Sequence, residues 1–134
     1  MKYDQFIGHV QNRARLGTTG EAVSATRATL QTLGQRLHGN GAKNLADQLP
    51  QEIGLYLTMN GNDDSFGVDE FLKRVAERES CELPESVYHA RVVFSVLQEA
   101  VSEGAMDNVL AQLPQEYHSL ITSGYEGNLD LNQN

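Results

Sequence analysis

The sequence predicts an all-α fold: two tandem, pseudo-symmetric four-helix units packed as one helical domain. Three observations predict it. The pentapeptide Gln48-Leu49-Pro50-Gln51-Glu52 recurs unchanged as Gln112-Leu113-Pro114-Gln115-Glu116. Phe6, Val10 and Arg13 return 65 positions later as Phe71, Val75 and Arg78, and Arg27, Leu30, Leu33 and Leu37 return 64 positions later as Arg91, Phe94, Leu97 and Val101. Around these markers the apolar residues are spaced by three and four, the period of an amphipathic helix. A unit written twice in 134 residues implies two copies packed on one core, because the chain is too short for two ordinary domains. The expected division is repeat one at 1–57, a linker at 58–65, repeat two at 66–121 and a flexible tail at 122–134.

Each element has its own signal. Tyr3, Phe6, Ile7, Val10 and Ala14 share one helical face, which predicts a first helix over about 3–15. Gly17 breaks it, and Thr19 is placed to cap a second helix with Glu21 in its positive first turn. Val23, Thr26, Leu30, Leu33 and Leu37 carry that helix to about His38, where Gly39-Asn40-Gly41 stops it. A short helix follows from Ala42 to Gln48. Pro50 then suits the first turn of a fourth helix bearing Ile53, Tyr56 and Leu57. The turn formers from Thr58 to Ser65 make the linker. The order then repeats, with Val68, Phe71, Leu72 and Val75 behind a weak cap at Gly67. Pro84 opens a helix bearing Val87, Ala90, Phe94, Leu97 and Val101 that Gly104 ends, followed by Met106, Val109 and Leu110, and by Tyr117, Leu120 and Ile121.

The two long helices differ in one respect. The second has an extra apolar stripe at Val93, Val96 and Ala100, where the first has Thr29, Thr32 and Arg36. A wider apolar face predicts burial on more sides, as the central helix of the domain, or else a partner surface at Val93, Val96 and Ala100.

Composition narrows the function classes. The net charge of −8 argues against nucleic acid as a partner, since phosphate binding needs a basic face. Residues 1–57 carry six Lys/Arg and four Asp/Glu, whereas residues 58–134 carry four and fourteen, so one repeat is mildly basic and the other strongly acidic. That imbalance suits solvated surface drift after a duplication, or else attraction between the two copies, within a chain or head-to-tail between chains. No apolar run approaches 18 residues, so no membrane span is expected. Met1-Lys2-Tyr3-Asp4 leads straight into the amphipathic pattern without a signal-peptide layout, so the expected location is cytoplasmic. A single cysteine, Cys81, rules out an internal disulfide.

The chemistry-bearing residues give little. Asn60, Asn62 and Asp64 alternate as in a calcium loop, but the sixth position is Ser65 rather than glycine and the twelfth is Phe71 rather than glutamate. His9, His38, His89 and His118 are never three or four apart, so no helix offers a histidine pair to a metal. Folding can gather His89, His118 and Glu116, but surface histidines are the expectation. Cys81 sits among Glu79, Ser80, Glu82 and Leu83, where acidic neighbours oppose a thiolate. Arg27 and Arg91 are the charged residues matched inside both long helices, and Glu52 and Glu116 also match. A guanidinium beside a core commonly pairs with a carboxylate. This predicts structural clamps Arg27–Glu52 and Arg91–Glu116, or bonds from the arginines to nearby carbonyls, or else a two-fold pair of anion sites, one per repeat.

These segments resemble a bacterial family, the domain of unknown function 2267 family. The resemblance rests on Tyr3-Asp4-Gln5-Phe6, on the stretch from Ala25-Thr26-Arg27-Ala28 to Leu33-Gly34, and on Gln48 to Glu52. In the second repeat it rests on Asp69-Glu70-Phe71, Ala90-Arg91-Val92-Val93 and Gln112 to Glu116. It covers about residues 2–121 and implies an all-helical fold, and it brings no activity, catalytic residue or cofactor. The expected function is therefore a non-catalytic protein-interaction or regulatory module rather than an enzyme. Its partner would be a protein or a second copy, with no cofactor. The alternative is a sensor of a small anionic ligand or metabolite bound between the repeats near Arg27 and Arg91.

Overall fold

The computed structural model describes residues 1–61 and 65–125. Eight helices are found among them: α1 (Tyr3–Arg13), α2 (Thr19–Arg36), α3 (Gly41–Ala46), α4 (Gln51–Thr58), α5 (Val68–Glu79), α6 (Leu83–Ala100), α7 (Glu103–Gln112) and α8 (Gln115–Tyr125). There is no strand among the described residues. The helix order of α1–α4 recurs in α5–α8, and the two long helices are both 18 residues. The expected tail at 122–134 is shortened by α8, which runs to Tyr125. Residues 126–134, and the linker residues Asn62, Asp63 and Asp64, lie outside the described part.

Local chemistry sets the helix ends. Thr18, not Thr19, caps α2: its hydroxyl accepts from the Glu21 N–H while Glu21 accepts from the Thr18 N–H, both at 3.1 Å. Both first helices end alike. Arg15 and Ser80, at matched positions, adopt left-handed φ of 57° and 58°. The next residues, Leu16 and Cys81, then donate back to Gln11 O and Ala76 O. Gly104 does not stop α6, which ends at Ala100; it lies in the first turn of α7. Pro50 is the residue just before α4 rather than inside its first turn.

The repeats are interlocked. Helix α2 packs on α1 and α4 of its own repeat, and α6 on α5 and α8 of its own. In addition, α1 packs on α6, α5 packs on α2, and α2 meets α6. The centre is thus a four-helix body drawn equally from both repeats. Its core includes Phe6, Val10, Leu30 and Leu33 from one repeat and Phe71, Val75, Phe94 and Leu97 from the other, all fully buried. Phe71 stacks on Phe94 at 6.0 Å and meets Tyr117 edge-on at 5.6 Å.

Helix α6 is central, but not more so than α2. Thr29 and Thr32 are buried like Val93 and Val96, and Arg36 is buried where its counterpart Ala100 is only partly so. Their polarity is handled locally. Thr32 Oγ1 donates to Ala28 O at 2.8 Å, and Arg36 Nε donates to Phe66 O at 2.7 Å. Tyr117 also donates to Phe66 O, at 2.8 Å, so Phe66, the residue just after the linker, is held to both α2 and α8. Burial pushes the Tyr117 hydroxyl up to about 12, so it remains a donor. Thr26 and Thr29 hydroxyls have no partner among the described residues.

Two glycines account for a difference between the repeats. A Cβ on Gly34 would lie 1.9 Å from Leu57 O, and one on Gly54 would lie 2.9 Å from Ala46 O. Helix α4 therefore packs directly on α2 and α3. The matched residues in repeat two are Gln98 and His118. Gln98 donates to Ile121 O at 3.0 Å and His118 Nε2 donates to Leu110 O at 3.0 Å, the carbonyls that match Leu57 and Ala46. Side-chain bridges thus replace close backbone approach in the second repeat. A small cavity of about 290 Å³ opens there between α6, α7 and α8.

Candidate functional site

The expected arginine clamps are not formed. Arg27, Arg91, Glu52 and Glu116 are all exposed, and among the described residues neither arginine pairs with either glutamate. The reason is helical geometry. Ser24, Arg27, Gln31 and Gln35 form the one stripe of α2 that is not fully buried, spaced by three and four. A charge on that stripe stays hydrated and needs no local counter-charge. Glu116 instead accepts from the Val68 N–H at 3.2 Å, at the start of α5. The Val93, Val96 and Ala100 stripe is not a partner surface either: Val93 and Val96 are fully buried and Ala100 packs against the core.

Besides Arg36, two arginines at matched positions, Arg13 and Arg78, each reach into the other repeat. Arg13 on α1 donates to Ser95 at 3.2 Å and Glu99 at 2.8 Å on α6. Arg78 on α5 donates to Thr32 at 2.8 Å and Gln35 at 2.7 Å on α2. Glu99 and Gln35 are matched positions, so the contacts to them are reciprocal. Arg13 holds the Glu99 carboxyl below the usual carboxylate range, chiefly through their hydrogen bond.

The repeated pentapeptide makes a second reciprocal pair at the far side. Gln48 Oε1 accepts from the Ser102 N–H at 2.7 Å, and Gln112 Oε1 accepts from the His38 N–H at 2.9 Å. These bonds stand at a cleft of about 890 Å³ between α3 and α7. Its walls come from both repeats at matched positions: His38 and Ser102, Asn40 and Gly104, Gly41 and Ala105, Asn44 and Asn108, Leu45 and Val109, Gln48 and Gln112. The cleft has amide groups on both sides, one carboxylate, Asp107, and no lysine or arginine. It offers hydrogen bonds without positive charge.

Arg27 faces a different feature, a groove of about 360 Å³ shared with Ser24, Gln31 and Arg78. It brings one guanidinium from each repeat together. Arg91 does not line it. On the other side, Tyr88, the match of Ser24, donates its hydroxyl to Arg13 O.

The remaining candidates resolve simply. Burial, with Glu79 and Glu85 alongside, pushes the Cys81 thiol up to about 11, which opposes a nucleophilic thiolate. His89 and His118 do not meet: Nδ1 of His89 lies 2.6 Å from Glu79, and His118 bonds Leu110 O. No helix among the described residues is long and apolar enough to cross a membrane. The Gln48/Gln112 bonds and the cleft were missed by sequence reasoning, although the unchanged pentapeptide pointed at them. A family described as "Uncharacterized conserved protein (DUF2267)" matches residues 3–120. No curated protein matches the chain.

Proposed function

The chain belongs to the DUF2267 family, and we propose that it is a non-catalytic regulatory module whose receptor is the cleft between α3 and α7. The observation behind this is that the cleft walls are matched positions of two repeats, so it exists only where the repeats are joined. Its volume suits a small molecule. Its lining suits a neutral or cationic polar one, with the amides of Asn44, Asn108, Gln48 and Gln112 giving and accepting hydrogen bonds and Asp107 favouring positive charge. Net charge weighs against nucleic acid as partner.

A second reading keeps the anionic ligand but moves it. The groove with Arg27 and Arg78 is a place where guanidiniums of both repeats converge, the arrangement that holds carboxylates and phosphates.

Thermal unfolding against a panel of small polar compounds tests both. A compound bound in the cleft at about 100 times its Kd stabilises the fold by about 2.7 kcal/mol, and Asn108→Ala, but not Arg27→Ala, removes the effect. If only anions stabilise, and Arg27→Ala removes that effect, the second reading replaces the first. If no compound stabilises the wild type, both fail.

A further inference from the structure

At the junction of α5 and α6 three potential metal ligands converge. Glu79 is the last residue of α5, left-handed Ser80 follows, and Cys81 comes next. His89 lies on the second turn of α6. One ligand atom from each of Glu79, Cys81 and His89 lies within 4.8 Å of the other two. The Glu79 side chain is only 6% exposed and that of His89 11%. Glu79 Oε2 meets His89 Nδ1, while the buried Oε1 makes no hydrogen bond of good geometry among the described residues, and the other group that interacts with this carboxylate is the weakly donating Cys81 thiol. A buried carboxylate oxygen satisfied by no more than a thiol is costly, which favours a stronger partner.

The first repeat shows what the same positions do without ligands. The matches of Glu79, Cys81 and His89 are Ala14, Leu16 and Ala25. Ala14 and Ala25 are buried and Leu16 packs against the core. Both helix ends share the same turn. On one backbone frame, therefore, three apolar packing residues in repeat one stand where repeat two has a carboxylate, a thiol and an imidazole.

We propose that Glu79, Cys81 and His89 bind a divalent transition-metal ion of the zinc class. One carboxylate oxygen, one thiolate and one imidazole nitrogen hold it, and solvent fills the fourth position. This mixed S, N, O set is what zinc and its borderline-soft neighbours take. Bonds of about 2.0–2.3 Å put tetrahedral ligands about 3.3–3.8 Å apart, so Glu79 Oε2 and His89 Nδ1, now 2.6 Å apart, must part by about 1 Å for both to hold one ion, while ligand atoms near the 4.8 Å limit must close by about 1 Å. The metal displaces the thiol proton, and any imidazolium proton, into solvent. Glu82 and Glu85 near Cys81, and Glu21 and Glu85 near His89, add a negative field that favours a cation. Bound metal would tie the end of α5 to α6.

The test is a Co²⁺ titration of the chelator-stripped full chain, followed by absorption. One equivalent should produce a thiolate-to-cobalt charge-transfer band in the near ultraviolet, with visible bands of four-coordinate strength, and Zn²⁺ should erase both. Cys81→Ser should lose the charge-transfer band. Glu79→Gln and His89→Asn should each weaken binding by at least about tenfold. Circular dichroism shows whether each variant is folded, and the two milder substitutions, Cys81→Ser and Glu79→Gln, suffice if His89→Asn is not. No band at stoichiometric Co²⁺ in the wild type overturns the proposal, as does an unchanged band in Cys81→Ser.

Discussion

Replacing Gly34 with alanine isolates the device that sets helix spacing in repeat one. A Cβ there would stand 1.9 Å from Leu57 O, 2.8 Å from its carbonyl carbon and 3.1 Å from its Cα. All three are backbone atoms, so no rotamer relieves the clash. Ordinary contact begins near 3.4 Å, so α4 must retreat from α2 by about 1.5 Å, a cost of the overpacking kind. The retreat loosens Ile53 and Leu57, which are fully or almost fully buried. Overpacking alone costs about 1–3 kcal/mol, and thinned contacts of two large side chains add to it. Helix propensity returns at most about 1 kcal/mol. The expected net loss is about 2–3 kcal/mol in urea unfolding followed by circular dichroism, or roughly 6–12 °C in Tm. Gly8→Ala is the control: nothing lies within 4 Å of its Cβ, so it should be neutral or stabilising by up to about 1 kcal/mol. A Gly34→Ala protein as stable as the wild type would refute the close-approach reasoning.

Three further outcomes follow from the same geometry. Arg78→Ala should cost about 1–3 kcal/mol in denaturant unfolding, because it removes two cross-repeat hydrogen bonds, one to the buried Thr32 hydroxyl. Arg27→Ala on the exposed stripe should stay within about 0.5 kcal/mol; equal effects would contradict the assignment of the joining arginines. Thr29→Val should raise stability by about 1 kcal/mol in the same assay, because the Thr29 hydroxyl is buried and unbonded; a loss would mean that the hydroxyl is satisfied after all. For pH, the Glu99 pKa is lowered in the folded state by Arg13. Its contribution is present above the ordinary value of 4.5 and fades as pH falls through the lower folded value. Glu99→Gln should flatten that part of the acid limb of a Tm–pH curve; an unchanged limb argues against the bond in solution.

Much of the fold was legible because the repeat and the three–four spacing both act locally. Phe6, Leu30, Phe71 and Phe94 sat on stripes that any helix must bury. The interlock was not legible. The match of Arg13 with Arg78 was visible, but its partners lie on α6 and α2, and local spacing does not say which helix faces which. Thr29, Thr32 and Arg36 looked less buried because their types are polar, yet Thr32 is satisfied by its own helix and Arg36 by the Phe66 carbonyl. Arg27 and Arg91 looked half-buried because each follows a stripe residue; α2 and α6 are buried so widely that these positions are their outer edge. Glu79, Cys81 and His89 come together only through the left-handed turn at Ser80 and the hairpin of α5 with α6, which residue types alone do not specify.

The reciprocal cleft is tested most directly by NMR of the side-chain amides of Asn44, Gln48, Asn108 and Gln112 during titration with the compound that most raises Tm. Binding there predicts that amides of both repeats shift together and saturate at one equivalent, while the Arg27 and Arg78 guanidinium signals hold still. Saturating shifts at the two guanidiniums, with all four amides unmoved, would contradict the assignment of the cleft as receptor.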